Sequence, residues 1–203
     1  MMGRRGSIRT ALALGLLAAP LACLPAHAAW KLVTRGQPVE VAKGKLSVTP
    51  GEDWNRSTSR PVKKSEVWTL DGGPLNELYF VSGLAPGETL FKDRDKKKNP
   101  LPRMGANMLL TDIPDFFESS TRIALQTSLF EVDRMEPTIF AGHPGIAFSF
   151  SYGIQQSPVV RKGIAAATLV DGQLYLISFI APAIYYFDRD LPKAQAVIAS
   201  AKL

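Results

Sequence analysis

The stretch GIAAATLVDGQLYLISFIAP, residues 163–182, constrains the fold of this chain more than any other. Asp171-Gly172 is a dipeptide that accepts the positive φ angles of a two-residue hairpin loop, and such a loop sets the register of its strands. Val170 then faces Gln173, Leu169 faces Leu174, and Thr168 faces Tyr175. With side chains alternating across a strand, one face collects Ala165, Ala167, Leu169, Leu174, Leu176 and Ser178. The other collects Ile164, Ala166, Thr168, Tyr175, Ile177 and Phe179. Both faces are mostly apolar, whereas a sheet with one wet side shows a polar face. This hairpin is therefore expected at the centre of a sheet covered on both sides.

Other segments supply partners for it. Lys45–Thr49 alternates and stops at Pro50-Gly51. Glu66–Leu70 and Leu75–Val81 are β-rich runs around Asp71-Gly72-Gly73-Pro74, a hairpin signal. In GHPGIAFSFSY (142–152), Phe148, Phe150 and Tyr152 alternate with Ala147, Ser149 and Ser151, so the aromatic rings share one face. Two helices provide cover. Around TDIPDFFESSTRIAL, Thr111 or Asp112 is placed to cap, Pro114 suits a first turn, and Ile113, Phe116, Phe117, Ile123 and Ala124 make an apolar stripe. Near the end, Asp188 or Asp190 is placed to cap a helix through Ala201, with Leu191, Ala194, Ile198 and Ala201 on one face. The expected class is α+β: a three-layer α/β/α sandwich around a twisted, mostly antiparallel sheet.

The pieces EVWTLDGGPLNELYF, GHPGIAFSFSY and GQLYLISFIAP resemble a group of uncharacterised exported bacterial proteins. Their fold is similar to that of the photosystem II extrinsic protein PsbP and the Ran-binding Mog proteins. The resemblance spans most of residues 39–203 and rests on scaffold residues: tryptophans, turn glycines and strand aromatics. It implies a PsbP/Mog-like architecture. Neither photosystem metal binding nor Ran binding comes with it, because no matching functional residues are present.

Residues 1–28 read as a secretory signal. Arg4, Arg5 and Arg9 precede the apolar stretch Ala11–Leu24, and Ala26-His27-Ala28 is a small-x-small cleavage site, placing the cut between Ala28 and Ala29. Two variants stay open: Arg4-Arg5 hints at twin-arginine export, and Leu21-Ala22-Cys23 resembles a lipidation site spoiled by Pro20. The remainder, 29–203, is one domain long enough to bury a core. Cleavage takes three of the 24 basic residues and none of the 18 acidic ones, halving the net charge of +6. So mild a charge does not indicate nucleic acid, and no later apolar run is long enough to span a bilayer. The single cysteine, Cys23, leaves with the signal, so stability must come from packing.

That processing also restricts the chemistry. His143 is the only remaining histidine, and His143-Pro144-Gly145 reads as a type II turn leading into a strand rather than as part of a catalytic group. No Gly-x-Ser-x-Gly elbow, Ser-x-x-Lys pair or phosphate-binding glycine loop occurs. One histidine without cysteine does not supply a zinc site, and Asp93, Asp95, Asp188 and Asp190 do not form a calcium loop. Trp30, Trp54 and Trp68 read as core or core-edge residues. No catalytic residue, metal or cofactor is assigned.

The segment Ser82–Asn107 stands apart. It is long and aperiodic, and Lys92, Arg94, Lys96, Lys97 and Lys98 outweigh Asp93 and Asp95. Long loops in compact domains are often functional or else disordered, and this one reads either as a solvated charged loop or as a surface suited to an anionic partner. The expectation is a non-enzymatic periplasmic or secreted protein that binds or assists an envelope component. Its partner would be an envelope protein or an anionic surface. Two alternatives remain: a periplasmic hydrolase using acidic residues, and the same domain tethered by a lipid.

Overall fold

The computed structural model of the protein describes residues 29–155 and 157–203. The segment read as a signal, with Cys23 and Ala28, lies outside them. The strands are β1 (Trp30–Val33), β2 (Val39–Glu40), β3 (Ser47–Val48), β4 (Trp54–Ser57), β5 (Ser65–Thr69), β6 (Glu77–Leu84), β7 (Phe130–Phe140), β8 (His143–Gly153), β9 (Val160–Val170) and β10 (Gln173–Pro182). The helices are α1 (Ile113–Leu125) and α2 (Tyr186–Ala199). Eight strands form one antiparallel sheet in the order β1-β4-β5-β6-β10-β9-β8-β7, and β2 pairs with β3 separately. The chain leaves the sheet after β6, makes a long excursion through α1, and returns so that β10 lies beside β6.

The central hairpin has the expected register. Asp171 (φ 52°) and Gly172 (φ 69°) form the loop, and Val170, Leu169 and Thr168 face Gln173, Leu174 and Tyr175. Its two faces belong to two separate cores. Ala166, Tyr175, Ile177 and Phe179 pack with Trp54, Trp68 and, from α2, Phe187, Ala194 and Val197. Ala165, Ala167, Leu174 and Leu176 pack with Phe148, Phe150 and, from α1, Ile113, Phe116 and Phe117. The run of small residues in β9 has a packing reason. Gly163, Ala165 and Ala167 lie opposite Phe150, Phe148 and Ile146 of β8. A Cβ on Gly163 would come within 2.2 Å of the Phe150 ring. Large side chains on β8 thus require small ones on β9.

Gly172→Val should destabilise the protein clearly, since a β-branched side chain resists positive φ. Chemical denaturation checks this. Open space surrounds that position, so any loss reports the backbone conformation rather than a clash.

Several local expectations need correction. His143 is not in a His-Pro-Gly turn. The turn is Ala141-Gly142, both at positive φ, and half-buried His143 opens β8 opposite Phe140. The two-residue loop matches strand twist, and Pro144 is tolerated because it lies one residue before the β8–β9 ladder begins at Gly145. On α1 the buried stripe continues through Ser120 and Thr121, while Ile123 is half-buried and Ala124 exposed. Helical spacing carries the face from Phe116 and Phe117 to Ser120 and Thr121. Asp112 sits at the α1 N-cap without a side-chain cap; its carboxylate instead accepts the Leu109 N–H at 2.9 Å. Neither Asp188 nor Asp190 caps α2, which starts after Tyr185. Its buried face is Phe187, Asp190, Ala194 and Val197. Trp54 and Trp68 are fully buried, but Trp30, on the edge strand β1, is 39% exposed.

Candidate functional site

The charged loop is pinned at its base and open at its tip. Leu90, Leu101 and Met104 are buried, and Phe91 packs against Tyr79 and Phe117, ring centroids 5.5 and 6.2 Å away. Backbone bonds Gly87 N–H to Met104 O (2.8 Å) and Met104 N–H to Glu88 O (2.9 Å) close it. The Arg103 guanidinium donates to Gly87 O at 2.7 Å, and the Tyr79 hydroxyl donates to Leu90 O at 2.6 Å. At the tip, Asp95 accepts backbone N–H bonds from Lys98 and Asn99. Lys92, Arg94, Lys96, Lys97 and Lys98 are all exposed, and among the described residues none of the five forms an ion pair.

Folding enlarges this cationic surface. Lys92 and Lys96 line a shallow depression with Arg103, from the far side of the same loop, and with Lys63 and Lys64 from the segment before β5. Sequence reading missed Lys63 and Lys64, whose charges lie in an unremarkable segment before β5, and passed over Arg103, which stands in the same loop five residues beyond the basic run. Only the β5–β6 pairing and the closed base of the loop bring them together.

On the inner side of the loop lies a cleft of about 590 Å³, within the usual range for small-molecule sites. Its floor is the sheet: Val67 from β5, Glu77 and Tyr79 from β6, Tyr152 from β8 and Ile180 from β10. One wall is Phe91–Asp95 with Leu101, and the other is the last turn of α1, including Ile123, Ala124 and Leu125. Arg60 also lines it. Lys92 and Arg94 therefore belong to this cleft, whereas Lys97 and Lys98 do not line it.

The electrostatics of the floor follow from burial. Glu77 shares a sheet face with Tyr79 and is half-buried there; desolvation raises its pKa against the pull of Arg161. Burial likewise raises Tyr152 to about 12 and pushes Tyr79 up further. Arg161 is turned to the Pro74 carbonyl, 2.7 Å away, and among the described residues Glu77 makes no hydrogen bond or ion pair. A second carboxylate oxygen, Asp93 Oδ1, is buried without a partner among the described residues. Glu77 was hidden in the sequence, where ELYF reads only as a strand start.

Two further polar centres are structural. Glu66 accepts from the Trp68 indole (2.7 Å), the Ala42 N–H (3.0 Å) and Arg56 (3.3 Å). Asp190, fully buried in α2, accepts from Arg189, Lys193 and Asn76, and Arg189 also pairs with Asp71. Burial works to raise the Asp190 carboxyl, but the Arg189 and Lys193 hydrogen bonds and charges outweigh it and leave it lowered. Arg189 stacks over Tyr185 and Tyr186 at 5.3 and 4.9 Å. Among the described residues no group of three or more His, Cys, Asp or Glu is placed to hold a metal, and no helix is long and apolar enough to cross a membrane.

No family model and no curated protein matches the chain. Among solved structures it is similar to the cyanobacterial PsbP (CyanoP) from Synechocystis sp. PCC 6803, with 18% identity and a TM-score of 0.49, covering 91% of this chain and 99% of that one. It is also similar to LpqN of Mycobacterium tuberculosis, described as involved in cell envelope biogenesis. That likeness has 10% identity and a TM-score of 0.33, and covers 85% of this chain and 89% of that one.

Proposed function

We propose that this protein is a non-enzymatic binding or accessory module of the cell envelope, exported by residues 1–28 and working in the periplasm as the single domain 29–203. Its scaffold is read as a three-layer sandwich, with α1 over one face of the sheet and α2 over the other. The observation that carries the proposal is the unpaired cationic tip held on a pinned base. Lys92, Arg94, Lys96, Lys97 and Lys98 are presented to solvent and joined laterally by Lys63, Lys64 and Arg103. Such a surface attracts an anionic envelope partner.

Reversal of Lys96, Lys97 and Lys98 to glutamate should weaken capture of that partner from envelope extracts. The melting temperature should hardly move, because exposed substitutions cost within about 0.5 kcal/mol. Capture by the wild type should fall with added salt, since exposed charges are screened over about 8 Å at physiological ionic strength. His143→Ala should change neither property. Equal recovery by wild type and the triple reversal would refute the loop contact.

The two carboxyl groups in the cleft favour one second reading, a hydrolase with Glu77 as general acid. A raised carboxyl is what that role needs. Yet catalytic carboxyls are oriented by neighbouring groups, and here neither Glu77 nor Asp93 Oδ1 has a hydrogen-bonding partner among the described residues. Binding fits the arrangement better. Turnover of chromogenic glycosides that is abolished by Glu77→Gln would reverse that order.

A further inference from the structure

We infer that the cleft between the loop, α1 and the sheet is a binding site for a single-chain amphiphile with an anionic, hydroxyl-bearing head. This deepens the envelope reading and rests on it, but it uses different residues from the exposed tip.

Three features converge. The first is shape and lining. A volume of about 590 Å³ is walled by Val67, Phe91, Leu101, Ile123, Leu125 and Ile180, an apolar lining on three sides. That surface suits an acyl chain, which gains by leaving water roughly in proportion to its area. The second is the pair of orphaned acceptors. Glu77 lines the cleft half-buried and makes no hydrogen bond among the described residues; Asp93 Oδ1 is buried and lacks a partner there too. Native structures rarely leave a buried polar atom unpaired, so Asp93 Oδ1, with Glu77 lining the same cleft, marks a place where a ligand supplies donors. Hydroxyl groups fit better than an ammonium. Desolvation raises the Glu77 pKa, and a shift against the charged form weakens what an ammonium would gain there.

The third is the sign of the mouth. Arg60, Lys92 and Arg94 line the same cleft, so an acidic group on the ligand meets cations there. Guanidinium groups bind phosphate through paired hydrogen bonds. An apolar chain, hydroxyls and a phosphate on one small molecule satisfy all three features together. A bilayer surface does not, because its chains stay in the membrane and leave Glu77 and Asp93 unmatched.

The experiment uses the full domain 29–203 and lyso-phosphatidylglycerol below its micelle concentration, followed by calorimetry. Lyso-phosphatidylcholine and phosphatidylglycerol vesicles serve as comparison arms. Saturable binding of the anionic monomer, at least tenfold tighter than of the choline form, is the expected result. Ala124→Trp, placed on an exposed position of the wall, should abolish it. Glu77→Leu and Arg94→Glu should each weaken it tenfold or more, with melting curves showing that each variant remains folded. The Lys96, Lys97, Lys98 reversal should leave it within about twofold, so failure of the tip contact and failure of the cleft site are told apart. Undiminished binding by folded Ala124→Trp, equal affinity for the choline form, or binding to vesicles alone would each overturn the assignment. If Ala124→Trp fails to fold, Glu77→Leu and the choline comparison still decide it.

Discussion

Leu176→Ala should lower the stability of this protein by about 2–5 kcal/mol, the range seen when a buried leucine is truncated. Leu176 is fully buried in the core shared with α1, Phe148 and Phe150. It lies in β10, which pairs with β6 on one side and β9 on the other. A strand held from both sides cannot shift to fill the space, so the upper half of that range is expected. Urea denaturation with an unchanged slope would report it as stability and not as a change in the unfolded ensemble. A near-neutral result would mean that this face of the sheet is not sealed by α1, and the layered reading of the fold would fail.

The second large effect belongs to the Asp190 centre. Asp190→Ala should cost about 2–3 kcal/mol near neutral pH, the order of a hydrogen bond to a charged group. The loss should not reach the larger penalty of a stranded buried charge. The reason is that Arg189 and Lys193, the cations left behind, are 30% and 35% exposed and can rehydrate. The pH dependence gives the sharper test. The Asp190 carboxyl is lowered in the folded protein, so the unfolded chain binds its proton first as pH falls. Its contribution is therefore complete above the ordinary aspartate pKa of about 3.9 and fades as pH drops through the lower folded value. Denaturation at pH 7 and at pH 3 should show the gap between wild type and Asp190→Ala narrowing in acid. A gap that stayed constant would remove the ion network as its cause.

These two residues also show the difference between what was legible in the sequence and what was not. Leu176 was readable. It sits in a hairpin whose Asp171-Gly172 loop sets the register, and its alternation assigns it to a face. Asp190 was misread as a cap, because an aspartate near a helix start usually serves the free backbone N–H groups there. Its burial depends on Asn76 and Asp71 from the β5–β6 turn, more than a hundred residues away, and local pattern carries no trace of that meeting. His143-Pro144-Gly145 failed for a nearer reason. The signals for two alternative turns overlap, and the pairing of β7 with β8 selected Ala141-Gly142.

Local sequence thus determined the strand alternation, the central hairpin, the two helices and the exposed basic segment. Each depends on residues a few positions apart and on periods of 2 or 3.6. The cleft was decided only by tertiary structure. Glu77, Tyr152, Asp93 and Ala124 come from β6, β8, the loop and α1, and they share a wall because the excursion after β6 folds back over one face of the sheet. The carboxyl of Glu77 is ordinary in the chain and unusual in the fold. What changes it is desolvation, a property of surroundings that no single stretch of sequence contains.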